Sequence, residues 1–340
     1  MTGKERIRAT FNREKTDRNP FWKGNPTIET EKTVCEYFGI PTGDQILLSE
    51  KFNDDFVWLP AGMAWKHPSG EGMFEAVIGH RETLSEGGKY ADIKLEDVDK
   101  IPWPDPKYLD VDEYIKIITR ANEKGLAVFG GMWSPFFHLV CDFFGMENYF
   151  IKMYTEPEVV EAVTDRIVNF YLEANKRIFE ACKGKDILFG FFFGNDFGSQ
   201  LDLLISPDMF RTFVLPSFKK LVSLGKEYDL KVMLHSCGSI YKVIPDLIST
   251  GMDALHPLQA KAKGMSAEEL AKYKDDIIFV GGVDTQDLLP NASPDDIINE
   301  VKRLKKIFGD GFVVSPSHEA LQSDVPLENI LALKEVSTEI

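Results

Sequence analysis

The sequence offers no stretch of roughly 18 uninterrupted apolar residues, so nothing in it reads as a membrane span. Cysteines are few and unpaired in spacing: Cys35, Cys141, Cys182 and Cys237 are scattered, which argues against a disulfide framework and for reduced thiols. Positive charge is also short. Lysine and arginine total 39 against 54 acidic residues, a net charge of −15, and no basic run offsets this. Nucleic acid and anionic membrane are thereby disfavoured as partners. The opening MTGKERIRATFNREKTDRNP is too polar and too mixed in charge for a secretory signal, so a cytoplasmic location is expected.

Apolar, β-rich runs alternate with amphipathic stretches along the chain. Strands are expected at Pro20–Gly24, Asp55–Pro60, Ala127–Trp133, Ile187–Gly194, Lys231–Cys237, Asp253–Leu258, Ile277–Val283 and Phe312–Ser317. Helical patterns lie between them, for example Pro157–Cys182, Pro207–Tyr228, Ile240–Ser249 and Pro294–Phe308. Ser206-Pro207 and Ser293-Pro294 carry the N-cap residue followed by a first-turn proline. Eight short apolar strands alternating with helices predict an α/β fold, a single-domain (β/α)8 TIM barrel over residues 1–340 with an N-terminal helical extension. Residues 63–108 break the alternation with glycines and the proline-rich IPWPDP, and are expected to form a hairpin or lid-like excursion after the second strand.

In such a barrel, catalytic groups come from the C-terminal ends of the strands. Those ends supply Asn25, Trp133, Asn195, Asp196, His235, Cys237, His256, Asp284, His318 and Glu319. His67, His80 and His138 fall in the excursion or a helix and read as ordinary structural residues. His235 and Cys237, two apart on one strand, point to the same face. Gly238 would turn the chain into a helix beginning near Ser239, whose N–H groups would favour a thiolate at Cys237. Thiolate beside imidazole is a donor pair suited to zinc. His318 is the candidate third ligand, with His256 the competitor, and three protein ligands would leave a position open for substrate. Asp196 and Asp284 read either as catalytic partners that orient a ligand or take a proton, or as helix caps and structural ion pairs. Asn25, Trp133, Asn195 and His256 are candidate substrate contacts.

The segments HSCGSIYKVIPDLISTGMDALHPLQ, GGVDTQDLL and FVVSPSHEALQSDVPLENI resemble the uroporphyrinogen decarboxylase superfamily, and the similarity runs over nearly the whole chain. That superfamily has a (β/α)8 fold. Its decarboxylase carries an arginine-rich segment after the first strand and an essential aspartate after the second. Here those places read FWKGNPTIET and VWLPAG, which supply neither. The other branch, the zinc-dependent corrinoid-linked methyltransferases, has a His-x-Cys on the fifth strand and a third ligand, commonly cysteine, after the eighth. His235 and Cys237 match the first two, and His318 stands in the place of that cysteine.

The resemblance implies zinc, a cobalamin (corrinoid) cofactor carried by a separate corrinoid protein, and methyl transfer to or from a small molecule. A zinc site of this kind serves either as a Lewis acid for an ether oxygen or as a holder of a thiolate. Phenylalanines such as Phe136, Phe137, Phe191 to Phe193 and Phe197 line a pocket or simply fill the barrel. A methoxylated aromatic, hence O-demethylation, is slightly favoured over a thiol. The alternatives are a metal-free decarboxylase acting on a smaller acid and a non-catalytic ligand-binding barrel.

Overall fold

The computed structural model describes residues 1–79 and 87–339; His80, part of the expected excursion, lies outside them. Among the described residues, seven parallel strands follow one another in chain order: β1 (Phe56–Trp58), β2 (Ala127–Gly130), β3 (Gly190–Gly194), β4 (Lys231–His235), β5 (Ala254–His256), β6 (Ile278–Val283) and β7 (Phe312–Pro316). Pro20–Gly24, expected as a strand, makes only one parallel bridge, Phe21 with Val314. Trp22 N donates to the Val314 carbonyl at 3.0 Å, Val314 N to the Pro20 carbonyl at 2.8 Å, and Asp55 N to the Phe21 carbonyl at 2.8 Å. This short segment therefore runs between the last strand and the residue before the first, and the sheet curls until its edges meet there. Proline supplies no N–H at position 20, and Lys23 N turns to the Asp54 carboxylate at 2.8 Å. Too few backbone groups remain for a longer ladder.

The curled sheet separates two apolar regions. Inside, Trp22, Phe56, Phe129, Phe192, Met233, Val280 and Val313 pack together. The helix α1 (Gly3–Phe11) adds Ile7 and Phe11 to this inner cluster. Arg6 fixes the helix there, pairing with Asp17 at 2.6 Å and with buried Asp55 just before β1. The far larger second cluster fills the space between the sheet and its surrounding helices. Among the described residues no helix is long and apolar enough to cross a membrane.

Several helices depart from their sequence boundaries for local reasons. Pro157–Cys182 and Pro294–Phe308 form as expected, each with proline in the first turn. The expected Pro207–Tyr228 helix is divided by a π-turn at Phe210–Val214. Pro216 follows, and its missing N–H interrupts the regular helical pattern. The helix after β4 starts at Ile244, not near Ser239, with Pro245 in its first turn. The described part of 63–108 holds 3-10 turns and the short helix Glu75–Ile78 rather than paired strands. A single antiparallel bridge, Trp65 to Leu109, joins its ends. Tyr90 and Trp103 stack on Phe143 at 5.0 and 5.8 Å, which lays this segment against the helix Phe136–Phe144.

Lys23 and Asp54 form a buried ion pair at 3.0 Å, with Ser49 Oγ also 3.0 Å from the ammonium. Burial pushes the Asp54 carboxyl up to about 6, against the pull of Lys23. A carboxyl raised on folding adds stability only below its unfolded value, and that contribution is lost as pH rises through about 6. Lys23→Met strands the carboxylate at neutral pH and should lower unfolding free energy by roughly 3 kcal/mol. The loss should shrink toward pH 5 as Asp54 takes a proton. Urea unfolding at the two pH values checks this; an equal loss at both would contradict it.

Candidate metal centre

The site begins with a register. Gly194, His235 and His256 are aligned on β3, β4 and β5, at the ends where those strands leave the sheet. A Cβ on Gly194 would lie 2.2 Å from the Trp133 ring, so only glycine leaves room for that indole. Trp133 then sits 5.3 Å, centroid to centroid, from the His235 ring, backed by Trp58 at 4.8 Å and Phe192 at 5.8 Å. On the other side His256 Nδ1 is 3.0 Å from His235 Nδ1. His235 is thus clamped by an aromatic wall and a second imidazole, with Nε2 left for the cluster.

Cys237 lies two residues past His235, its Sγ 3.5 Å from His235 Nε2. No helix starts behind it, so the expected helix-dipole support for a thiolate is absent. Two side chains hold this turn instead. Cys237 N donates to Asp196 Oδ1 at 2.7 Å, and Gly238 N to Gln259 Oε1 at 2.6 Å. Gly238 has φ +80°, and a Cβ there would lie 2.2 Å from the Gly198 carbonyl oxygen. The loops after β3 and β4 consequently touch backbone to backbone.

The loop after β7 brings the remaining donors. Cys237, His318 and Glu319 have ligand atoms within 4.8 Å of one another, as do Asp196, His235 and Cys237. The two groups share the thiol. His318 Nδ1 accepts the Ala320 N–H at 3.1 Å, and Glu319 Oε2 lies 3.5 Å from His235 Nδ1 and 3.6 Å from His318 Nδ1. Asn25 N donates to the Glu319 carbonyl at 2.5 Å, which seats this loop on the sheet seam.

The electrostatics follow from this crowding. Burial works against a charge on His235, but Asp196, Cys237 and Glu319 outweigh it and raise its proton affinity well above the ordinary imidazole range. Burial also acts to raise Asp196, yet its bond to His235 leads, with the Cys237 N–H adding, to a value far below the usual carboxylate range. His318 is raised by its bond to Cys237, against burial and with help from Glu319. His256 moves the opposite way, lowered by burial and by the positive character of His235 and His318. A thiol and two carboxylates therefore draw positive charge into this spot. Glu319 Oε2 is buried with no hydrogen-bond partner among the described residues. One soft sulfur, imidazoles and carboxylates suit a borderline cation such as zinc.

The remaining candidates lie elsewhere in the framework. Asn195 Oδ1 accepts Phe137 N–H at 2.8 Å and its Nδ2 donates to the Ser134 carbonyl at 3.2 Å, so the buried amide ties two loops together. Asp284 accepts the N–H groups of Gln286, Asp287 and Leu288 at 3.0 to 3.1 Å and caps the turn after β6. His138 is closer to the chemistry than its helical setting suggests: Asp196 N donates to its Nε2 at 3.2 Å. Gln259 and Trp58 were also not legible as site residues. Only the inward alternation of β1, from Phe56 to Trp58, hints at the latter.

Residues 83–340 match the uroporphyrinogen decarboxylase family (URO-D). The chain belongs to that family. Within it, the chain is similar to the methylated-thiol–coenzyme M methyltransferase of Methanosarcina mazei, 27% identical over 188 residues, covering 55% of this chain and 47% of the relative. It is also similar to a methylcobamide:CoM methyltransferase of Methanosarcina acetivorans, 25% identical over 198 residues, covering 56% and 53%. The chain spans about half the length of the curated relatives it matches. A solved methyltransferase structure from Methanosarcina mazei shares the fold at TM-score 0.71 and 18% identity, covering 99% of this chain and 98% of that one.

Because Gly194 alone admits the indole, Gly194→Ala should push Trp133 away from His235 and lower stability by roughly 1–3 kcal/mol. The tryptophan emission should shift to the red, and Trp133→Phe in that background should abolish the shift. Unchanged emission in Gly194→Ala would contradict the packing described.

Proposed function

We infer that this chain is a zinc-dependent methyltransferase that moves a methyl group between a small substrate and a separate corrinoid protein. The observation that carries this reading is the convergence of Cys237, His235 and His318, with Asp196 and Glu319, where β4 and β7 leave the sheet. The relatives' names, which specify methyl transfer and methylcobamide, supply the reaction class. His235, Cys237 and His318 would hold the metal. Zinc bound there supplies a Lewis acid for a leaving oxygen or a centre that keeps a thiol as thiolate.

The chain's own residues do the positioning. Asp196 accepts from Cys237 N and faces His235 Nε2 at 3.4 Å, so one carboxylate sets the angle between two donors. Trp133 and Trp58 wall the approach with flat apolar surface. Asp284, with its oxygens taken by backbone N–H groups, holds the loop after β6 rather than a proton in transit. The described part of 63–108 lies on the helix Phe136–Phe144 through Tyr90 and Trp103, and would form the edge on which a corrinoid partner docks. One domain over 1–340, acting in the cytoplasm, completes the proposal.

The aromatic wall favours a methoxylated aromatic as methyl donor. A thiol is the second reading, favoured by the coenzyme M in the relatives' names. Decarboxylation of a polycarboxylate is disfavoured by charge. Among the described residues no arginine has a bond to the cluster: Arg6, Arg8, Arg18, Arg120, Arg166, Arg211 and Arg303 pair with other carboxylates. Arg13 and Arg177 donate to the Lys274 and Pro106 carbonyls.

Purified protein should hold about one zinc per chain, and Cys237→Ala should lose it, as removing a thiolate ligand does. Methyl transfer from a methoxylated aromatic to a reduced corrinoid protein should fall at least about 100-fold in that variant. Turnover by metal-free protein, undiminished in Cys237→Ala, would overturn the reading.

A further inference from the structure

The loop that brings Trp133 to the metal centre is held against its local preferences. Ser134, the next residue, has φ +55° and no exposed surface. A side chain disfavours that left-handed backbone. Ser134 also precedes Pro135, and a residue before proline favours extended backbone. Such a conformation persists only where the surroundings impose it, and it collects at ligand-binding sites.

Two buried asparagines impose it here. Asn175 projects from the helix Pro157–Cys182, where its neighbours Tyr171, Ala174 and Ile178 belong to the apolar core. Its Oδ1 accepts the Met132 N–H at 2.7 Å, and its Nδ2 donates to Ser134 Oγ at 3.3 Å. Ser134 Oγ donates in turn to the Met132 carbonyl at 2.8 Å, and Asn195 Nδ2 donates to the Ser134 carbonyl at 3.2 Å. A Cβ on Gly131 would lie 2.9 Å from Asn175 Oδ1, so glycine there admits the amide. An apolar side chain at 175 would avoid burying an amide between helix and sheet. The amide is needed to hold this loop.

What the loop delivers is an aromatic face. Trp133 lies between the two residues that Asn175 bonds, and its carbonyl accepts the Gly194 N–H at 3.1 Å. Its ring is 5.3 Å from that of His235 and 4.8 Å from that of Trp58. Trp133, Trp58, Cys237 and His318 are all partly exposed, so this face opens to solvent beside the thiol. A flat apolar surface of this kind suits an aromatic ring.

We propose that Asn175 and Ser134 are positioning residues that hold Trp133 in the orientation in which its indole receives the aromatic ring of the substrate beside Cys237. The substrate role rests on the methyltransferase reading; the placement of Trp133 does not. Without the brace the loop relaxes, and apparent affinity falls with the fraction of chains still in the competent arrangement.

Ser134→Ala and Ser134→Gly separate this from a packing role. Both remove the hydroxyl and its bonds, but only alanine keeps a side chain on the left-handed backbone. In calorimetric titration of the zinc-loaded full chain with guaiacol, Ser134→Gly should bind within about twofold of the parent. Ser134→Ala should bind about fivefold more weakly, equivalent to about 1 kcal/mol. Asn175→Ala should weaken guaiacol to a similar extent, and adding Ser134→Gly to it should restore most of the affinity. Trp133 emission should follow the same order, with zinc content at the parent level throughout. If Asn175→Ala does not fold, the two Ser134 variants decide alone. Equal weakening by alanine and glycine, additive losses in the double variant, or no saturable guaiacol binding to the parent would overturn the proposal. A chain that binds guaiacol and follows the predicted order, yet transfers no methyl group, would keep the positioning role and lose the methyltransferase reading.

Discussion

One carboxylate oxygen, Asp196 Oδ1, ties the candidate metal centre together. It accepts the Cys237 N–H at 2.7 Å and lies 3.4 Å from His235 Nε2. Without it, the turn after β4 loses one of the two side-chain acceptors that hold the thiol beside the imidazole preceding it. Asp196 is itself anchored from behind, since its N–H donates to His138 Nε2 at 3.2 Å. The strand register supplies the rest. Gly194, His235 and His256 come level because β3, β4 and β5 are parallel neighbours, and Gly194 gives up its side chain so that Trp133 can close one face.

The same cluster is costly as protein alone. A thiol and two carboxylates gathered in a buried place raise the proton affinity of His235 and His318. Elsewhere buried charges have partners of opposite sign, Lys23 with Asp54, and Asp55 with both Arg6 and Arg18. This concentration of donors where β4 and β7 leave the sheet is what supports the zinc proposal.

Much of this was readable from the chain. The β-rich runs located seven strands, because fully buried parallel strands need near-continuous apolar sequence. The His-x-Cys pair and His318 stood out because imidazole and thiol are rare at strand ends. What could not be read was set by backbone and tertiary detail. Pro20–Gly24 is a bridge rather than a strand, since Pro20 lacks an N–H and Lys23 bonds a side chain. The turn at Cys237 is capped by Asp196 and Gln259, more than twenty residues distant in either direction, and no local pattern announces such partners. Asn195 has the composition of a substrate contact but spends its amide on two loops, a use visible only in three dimensions.

The central claim is that His235 and Cys237, with His318, bind zinc directly. Zinc K-edge X-ray absorption on the purified protein tests it most closely. The account predicts one sulfur at about 2.3 Å and the remaining donors, nitrogen or oxygen, at about 2.0–2.1 Å, with the sulfur shell absent in Cys237→Ala and one imidazole contribution lost in His318→Ala. A first shell of oxygen and nitrogen alone, unchanged in both variants, would contradict it.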